Sequence, residues 1–175
     1  MKPLFSHQQL QITIERLAQQ LIENHLDFAD AVLIGLQPRG VFLSDRIYKI
    51  LQERTNAAPI LYGKLDVTFY RDDFNTKEAL HIPRKTELDF SIEGKDVILI
   101  DDVLYTGRTI RSGLEALVDF GRPRSVKLLV LIDRRFSREL PIQPDYVGLS
   151  VDSIAAQKVR VLWEERDHKD EVILL

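Results

Sequence analysis

Residues 97–109, Val97-Ile98-Leu99-Ile100-Asp101-Asp102-Val103-Leu104-Tyr105-Thr106-Gly107-Arg108-Thr109, set two kinds of chemistry at a fixed distance from each other. An apolar run leads into two adjacent acids, and a short spacer separates the acids from a small polar loop that opens a helix. A helix N-terminus presents unpaired amides and about half a positive charge, which suits a phosphate monoester. In the loop Tyr105 to Thr109, the hydroxyls of Thr106 and Thr109 and the cation Arg108 add donors, while Gly107 lets the backbone approach closely. Asp101 and Asp102 cannot hold that phosphate themselves. Set about one sugar length away, they suit vicinal ribose hydroxyls or a hydrated magnesium ion. An acid pair beside a phosphate cradle therefore spells ribose 5-phosphate.

A second turn that could do chemistry is Gly35-Leu36-Gln37-Pro38-Arg39-Gly40. It is half of a P-loop, but Val41-Phe42 stand where Lys-Ser/Thr is required, which excludes nucleoside triphosphate hydrolysis. Pro38 removes one amide and brings a cis Gln37-Pro38 bond within reach, at about 0.5–1 kcal/mol against about 3–4 kcal/mol for an ordinary residue.

These loops need strands and helices to hold them. Ser6-His7-Gln8-Gln9 has the form of a capping box, and Leu10, Ile14, Leu17, Leu21 and Ile22 recur at helical spacing, which predicts a helix over about 7–25. The short apolar run 31–36 predicts a buried strand, 41–52 a helix and about 60–70 a second strand. From 71 to 93 the chain turns polar, and an excursion of that length inside a compact domain is read as a lid. A strand over 96–100 ends at the two acids, a helix spans 109–120, and Gly121 and Pro123 stop it. Further strands are expected at 126–132, 145–151, 158–163 and 171–175. Alternating strands and helices imply an α/β fold, a mostly parallel central sheet flanked by helices.

Composition narrows the class. The chain has 175 residues, 45% apolar and 29% charged, the balance of a folded single domain over 1–175 rather than of a disordered chain. It has no Cys, so thiol catalysis, disulfides and cysteine-bearing zinc sites are excluded. The four histidines, His7, His25, His81 and His168, show no ligand spacing, so no structural metal is expected. No apolar run reaches the roughly 20 residues of a membrane helix, and no secretory leader is evident, so a cytoplasmic location is expected.

The 97–109 string resembles the phosphoribosyl pyrophosphate (PRPP) signature of the type I phosphoribosyltransferases. Residues 65–73 (Leu-Asp-Val-Thr-Phe-Tyr-Arg-Asp-Asp), 118–123 (Val-Asp-Phe-Gly-Arg-Pro), 138–142 (Arg-Glu-Leu-Pro-Ile) and 145–148 (Asp-Tyr-Val-Gly) are similar to one branch. That branch is the bifunctional pyrimidine operon regulator and uracil phosphoribosyltransferase family, and the likeness covers nearly the whole chain.

The resemblance implies a central sheet with a small hood, formed mainly by the C-terminal segment, and a flexible lid loop over 71–93. It implies that Asp101 and Asp102 hold the ribose hydroxyls and magnesium, and that Tyr105, Thr106, Gly107, Arg108 and Thr109 surround the 5-phosphate. Gln37, Pro38, Arg39 and Gly40 would cradle the pyrophosphate. Tyr70, Arg71, Asp72 and Asp73 would open the lid, with Arg71 as a second pyrophosphate contact. Purine-using relatives commonly carry an Asp where this chain has Tyr105. A general base is less needed for uracil, whose ring nitrogen is more acidic, so the tyrosine points to a pyrimidine. Tyr105, Asp133, Arg134, Lys158 and Val159 would form the base pocket.

The reaction implied is UMP and pyrophosphate from uracil and PRPP. The alternative is an attenuator of pyrimidine operon transcription that senses UMP or UTP and binds a leader mRNA stem-loop. Residues 122–138 carry a net five positive charges, and Arg122, Arg124, Lys127, Arg135 and Arg138 are the candidate RNA face. Against this, the first helix carries one arginine, Arg16, and Asp152-Ser153-Ile154-Ala155-Ala156-Gln157 has no base where the family carries a lysine-bearing loop. Enzyme therefore ranks above attenuator. A homo-oligomer, dimer or larger, is implied. A phospho-accepting receiver domain is excluded by motif order, because its acid pair belongs near the N-terminus.

Overall fold

The structure, a computed structural model, describes residues 2–55, 59–71, 85–154 and 156–175. After strand β1 (Lys2–Phe5), helix α1 (His7–His25) opens on a reciprocal cap. Ser6 Oγ accepts the Gln9 amide at 3.4 Å and Gln9 Oε1 accepts the Ser6 amide at 2.9 Å, which satisfies two amides that a first turn leaves orphaned. Leu10, Ile14, Leu17 and Leu21 then bury one face of the helix. Strand β2 (Ala31–Leu36) is buried at every residue, as a central parallel strand must be. Helix α2 (Gly40–Arg54) and strand β3 (Leu61–Leu65) follow. Then come β4 (Asp96–Leu104), α3 (Arg108–Leu117), β5 (Ser125–Arg135) and β6 (Tyr146–Asp152). The chain finishes with β7 (Val159–Leu162), the single turn α4 (Glu164–Asp167) and β8 (Glu171–Leu174).

The central sheet has the order β3-β2-β4-β5-β6, with every neighbouring pair parallel. Its register puts Gly35 beside Ile100 and Leu104 beside Asp133, so β2 stops beside the acids while β4 and β5 run on together, and the loops after all three open on one edge. Alternation along the strands feeds two cores. Leu33, Ile98, Ile100, Leu129 and Leu131 pack with α1 and α2, while Val32, Ile34, Val97, Leu99, Leu128 and Val130 pack with Ile110, Ala116 and Leu117 of α3. A smaller antiparallel sheet, β1-β8-β7, forms the hood, and its Phe5, Val161 and Val172 join the first core together with Trp163. Among the described residues no helix is long and apolar enough to cross a membrane.

Four sequence expectations change. The strand expected over 60–70 ends at Leu65, because Asp66 Oδ1 accepts both the amide (3.0 Å) and the hydroxyl (2.6 Å) of Thr68 and bends the chain into a turn. The strand expected to stop before the acids runs through them to Leu104, because β5 continues alongside and pairs Asp101 with Val130. Strand β1 was missed: a Pro-containing stretch this short becomes a strand only by pairing with β8. The 71–93 excursion is shorter than expected. Lys64 and Glu87 exchange backbone bonds of 2.9 and 2.8 Å, and Ile92 is fully buried, so the chain has rejoined the core by then. Residues 72–84, with Asp72, Asp73 and His81, lie outside the described residues.

Candidate active site

Strand β4 delivers the acids and then the loop 105–107 that opens α3. Gly107, the residue before α3, has φ 93°, a left-handed conformation in which a side chain is strained. A Cβ there would also lie 3.0 Å from Ile142 Cγ1. The loop is fastened from behind: Thr106 C=O accepts the amides of Glu139 at 3.0 Å and Leu140 at 3.2 Å, and Arg108 Nε donates to Glu139 at 2.6 Å. Tyr105 to Thr109, Asp101, Ser112 and Arg71 line one cavity of about 570 Å3. The five phosphate-loop residues, one acid and the lid cation of the sequence reading therefore meet in a single space.

The strand does not end at the acids, as the sequence reading has it. They are buried inside β4, 8% and 7% exposed, and their surroundings differ. Asp101 Oδ1 accepts the Asp102 amide at 2.9 Å. Burial pushes the Asp101 carboxyl well above the usual carboxylate range, the neighbouring Asp102 charge adds to this, and Arg71 opposes it. Burial also raises Asp102, against which Arg39 and the indole of Trp163 pull downward.

The turn 37–40 brings α2 against β4. The Gln37-Pro38 bond is cis, as the sequence allowed, and Gln37 Nε2 donates to Lys85 C=O at 2.7 Å. A Cβ on Gly40 would fall 2.7 Å from Ile100 O and 2.9 Å from Asp101 Cα, so only glycine admits this approach. Arg39 is not turned outward. Its Nε lies 3.4 Å from Asp102 Oδ2, and its Nη2 reaches Val161 C=O and, at 3.4 Å, Asp167 Oδ2. The turn 37–40 is thereby tied to an acid of β4 and to the hood.

Of the expected base pocket, three residues converge. The Arg134 guanidinium stacks 3.9 Å from the centre of the Tyr105 ring, held there by Ser153 Oγ (2.9 Å) and Gln157 C=O (2.8 Å). Asp133 pairs with Arg138, which also donates to Tyr105 C=O at 2.5 Å. A second cavity, of about 550 Å3, is lined by Tyr105, Arg138, Ser153 and Ile154, so Tyr105 borders both spaces. Lys158 and Val159 lie on the hood instead, where Lys158 exchanges backbone bonds of 2.9 and 2.8 Å with Leu175. Sequence reasoning missed Trp163, Asp167, Ser153 and Gln157 as parts of the site. Only the fold brings them there, and no local motif marks them.

The basic residues do not form one face. Arg122, Arg124 and Lys127 sit at the amino end of β5, and Arg135 and Arg138 at its carboxyl end. Lys127 and Arg135, the nearest members of the two groups, are eight residues apart along the strand, about 26 Å. Arg124 is paired with Asp96 at 2.5 Å, and Arg135 with Asp152 at 2.6 Å.

A parallel sheet with a phosphate loop and paired acids at its carboxyl edge defines a phosphoribosyl transferase, and the phosphoribosyl transferase domain family matches residues 2–166. Solved structures agree at the level of fold: the hypoxanthine phosphoribosyltransferase of Trypanosoma cruzi superposes with a TM-score of 0.74 at 19% identity, covering 100% of this chain and 96% of that one. A hypoxanthine phosphoribosyltransferase from Staphylococcus aureus gives 0.72 at 22%, covering 98% and 90%. Much nearer in sequence is the bifunctional protein PyrR of Desulfosudis oleivorans, 43% identical over 98% of this chain and 94% of its own length. That of Picosynechococcus is 41% identical over 98% and 96%. The chain belongs to the bifunctional PyrR family of phosphoribosyl transferases.

Proposed function

We propose that the chain is a uracil phosphoribosyltransferase, a glycosyltransferase that makes UMP and pyrophosphate from uracil and PRPP. One observation carries the reading: Tyr105, with Arg134 stacked on its ring, borders both a cavity suited to a ribose phosphate and a second cavity lined by Arg138, Ser153 and Ile154, the arrangement needed to join a sugar to a base. A ring nitrogen of uracil attacks the anomeric carbon, the bond to pyrophosphate breaks, and the ring proton is lost.

The residues divide this work. Amides of 106–109 at the α3 N-terminus bind the 5-phosphate and fix the sugar. Asp101 accepts from the ribose, and Arg71 sits near enough to it to neutralise the leaving group. Arg39 moves from Asp102 to the departing pyrophosphate, where positive charge is worth most in the transition state. Tyr105 offers no carboxylate general base, which uracil, with its more acidic ring nitrogen, needs less than a purine does, and Arg134 stacks on its ring. The acids are hard oxygen donors suited to magnesium. Among the described residues no three His, Cys, Asp or Glu gather into a metal site, so remaining ligands would come from PRPP and water. When bound, Mg2+ neutralises the pyrophosphate oxygens. A homo-oligomer and a cytoplasmic setting belong to the same reading.

Product formation from PRPP and Mg2+, with uracil, cytosine, orotate, hypoxanthine and guanine offered separately, tests this. UMP from uracil alone supports it. PRPP binding with no base consumed replaces it with the attenuator reading, a nucleotide sensor acting on a leader mRNA stem-loop.

A further inference from the structure

Trp163 is the chain's single tryptophan and is fully buried. Its ring is clamped on two sides, by Phe42 at 6.2 Å between ring centres and by the Arg46 guanidinium at 4.9 Å. Arg46 is itself fixed by two 2.8 Å bonds to Asp170 and by bonds of 3.0 and 2.8 Å to Glu165. The Trp163 amide donates to Asp167 Oδ2 at 3.0 Å, the same oxygen that Arg39 approaches. A side chain held this firmly would be expected to have its polar atom paired. Instead Nε1 is buried and makes no hydrogen bond of ordinary geometry among the described residues, although it lies close enough to the Asp102 carboxylate to favour its charged form. A buried indole N–H left unpaired beside an acid of the active site is costly, and a second state in which it is used would account for it.

We propose that Trp163 is a positioning residue for Asp102: the indole N–H becomes the donor that holds this carboxylate once Arg39 leaves it for the pyrophosphate of PRPP. The inference rests on the reading of turn 37–40 as the pyrophosphate site. In the structure Asp102 has Arg39 as its charged partner and Trp163 in reserve. Transfer of Arg39 would strand a buried carboxylate, and a short approach by the indole supplies the replacement bond without water entering the site. The clamp by Phe42 and Arg46 determines the direction of that approach.

The test uses the full chain and PRPP with Mg2+. Because Trp163 is the sole tryptophan, excitation selective for indole reads this position alone. PRPP should shift and quench its emission, saturating at the dissociation constant found by calorimetry. Trp163→Phe keeps the ring between Phe42 and Arg46 and removes only the donor. It should weaken PRPP binding by about tenfold, the effect of one hydrogen bond to a charged group, while the uracil KM at saturating PRPP stays within about twofold. A general loosening of the fold would instead move both constants and the melting temperature. Calorimetric PRPP binding with unchanged indole emission overturns the proposal, whatever the fate of the variant, and so does wild-type PRPP affinity in a folded Trp163→Phe. If Arg39→Gln keeps full PRPP affinity, the pyrophosphate reading of the turn falls first and takes this inference with it.

Discussion

Arg39 Nε lies 3.4 Å from Asp102 Oδ2, so the cation of the turn before α2 rests on the second acid of β4. The same guanidinium reaches Asp167 Oδ2 at 3.4 Å, which joins both to the hood. A group expected to contact pyrophosphate thus links the turn, the edge of the sheet and the hood. Binding must exchange these contacts for those with substrate, and the net affinity is the difference between the two sets.

Replacing Arg39 therefore acts twice. Arg39→Ala should raise the KM for PRPP at least about tenfold and lower stability by about 1–3 kcal/mol, because it leaves Asp102 buried without its charged partner. Arg39→Lys should restore much of the stability but little of the affinity, since an ammonium lacks the planar fork that spans several oxygens. Steady-state kinetics and urea midpoints on the same preparations check both.

Asp101 gives a pH signature. Burial raises its folded carboxyl above the unfolded value of about 3.9, so the folded state binds the proton more tightly and stability falls as pH rises through that interval. Asp101→Asn keeps an acceptor for the Asp102 amide and removes the buried charge. It should melt higher than wild type near neutral pH, by about 2–4 °C for each kcal/mol gained, and equal to it below the ordinary carboxylate range. It should also lose PRPP binding. A variant that melts lower at neutral pH would refute the burial argument.

Gly40→Ala tests the close approach of α2 to β4. With a Cβ 2.7 Å from Ile100 O, the turn must retreat from Asp101. A stability loss of about 1–3 kcal/mol is expected, as for other overpacked positions, with reduced turnover because Arg39 moves with the turn. Thermal melts and activity with uracil measure it.

The split of basic residues between the two ends of β5 limits contact with RNA. Binding of a stem-loop RNA should show a slope of log K against log salt shallower than about −4, corresponding to fewer than about five phosphate contacts. Filter binding across a salt series decides this, and a steeper slope would restore the regulatory reading to first place.

Much of the site was legible because it is local. The Asp-Asp and Thr-Gly-Arg-Thr run lies within one strand, loop and helix, so spacing alone fixed which groups neighbour which. Helix α1 was legible for the same reason: its capping box and apolar stripe act within a few residues.

What only the tertiary structure decided involves partners distant in the chain. Burial of Asp101 and Asp102 follows from β5 pairing alongside β4, and a local pattern cannot show that a neighbouring strand continues. Arg39 meets Asp167, and Trp163 meets Asp102, because the hood folds back onto the sheet edge. The positive charges, adjacent in sequence, are driven apart by an extended strand. Residue types and short spacings determined the chemistry available to this protein; packing of distant segments determined which of those groups are buried, paired or held in reserve, because charge and hydrogen-bond energies depend on surroundings that the chain order does not contain.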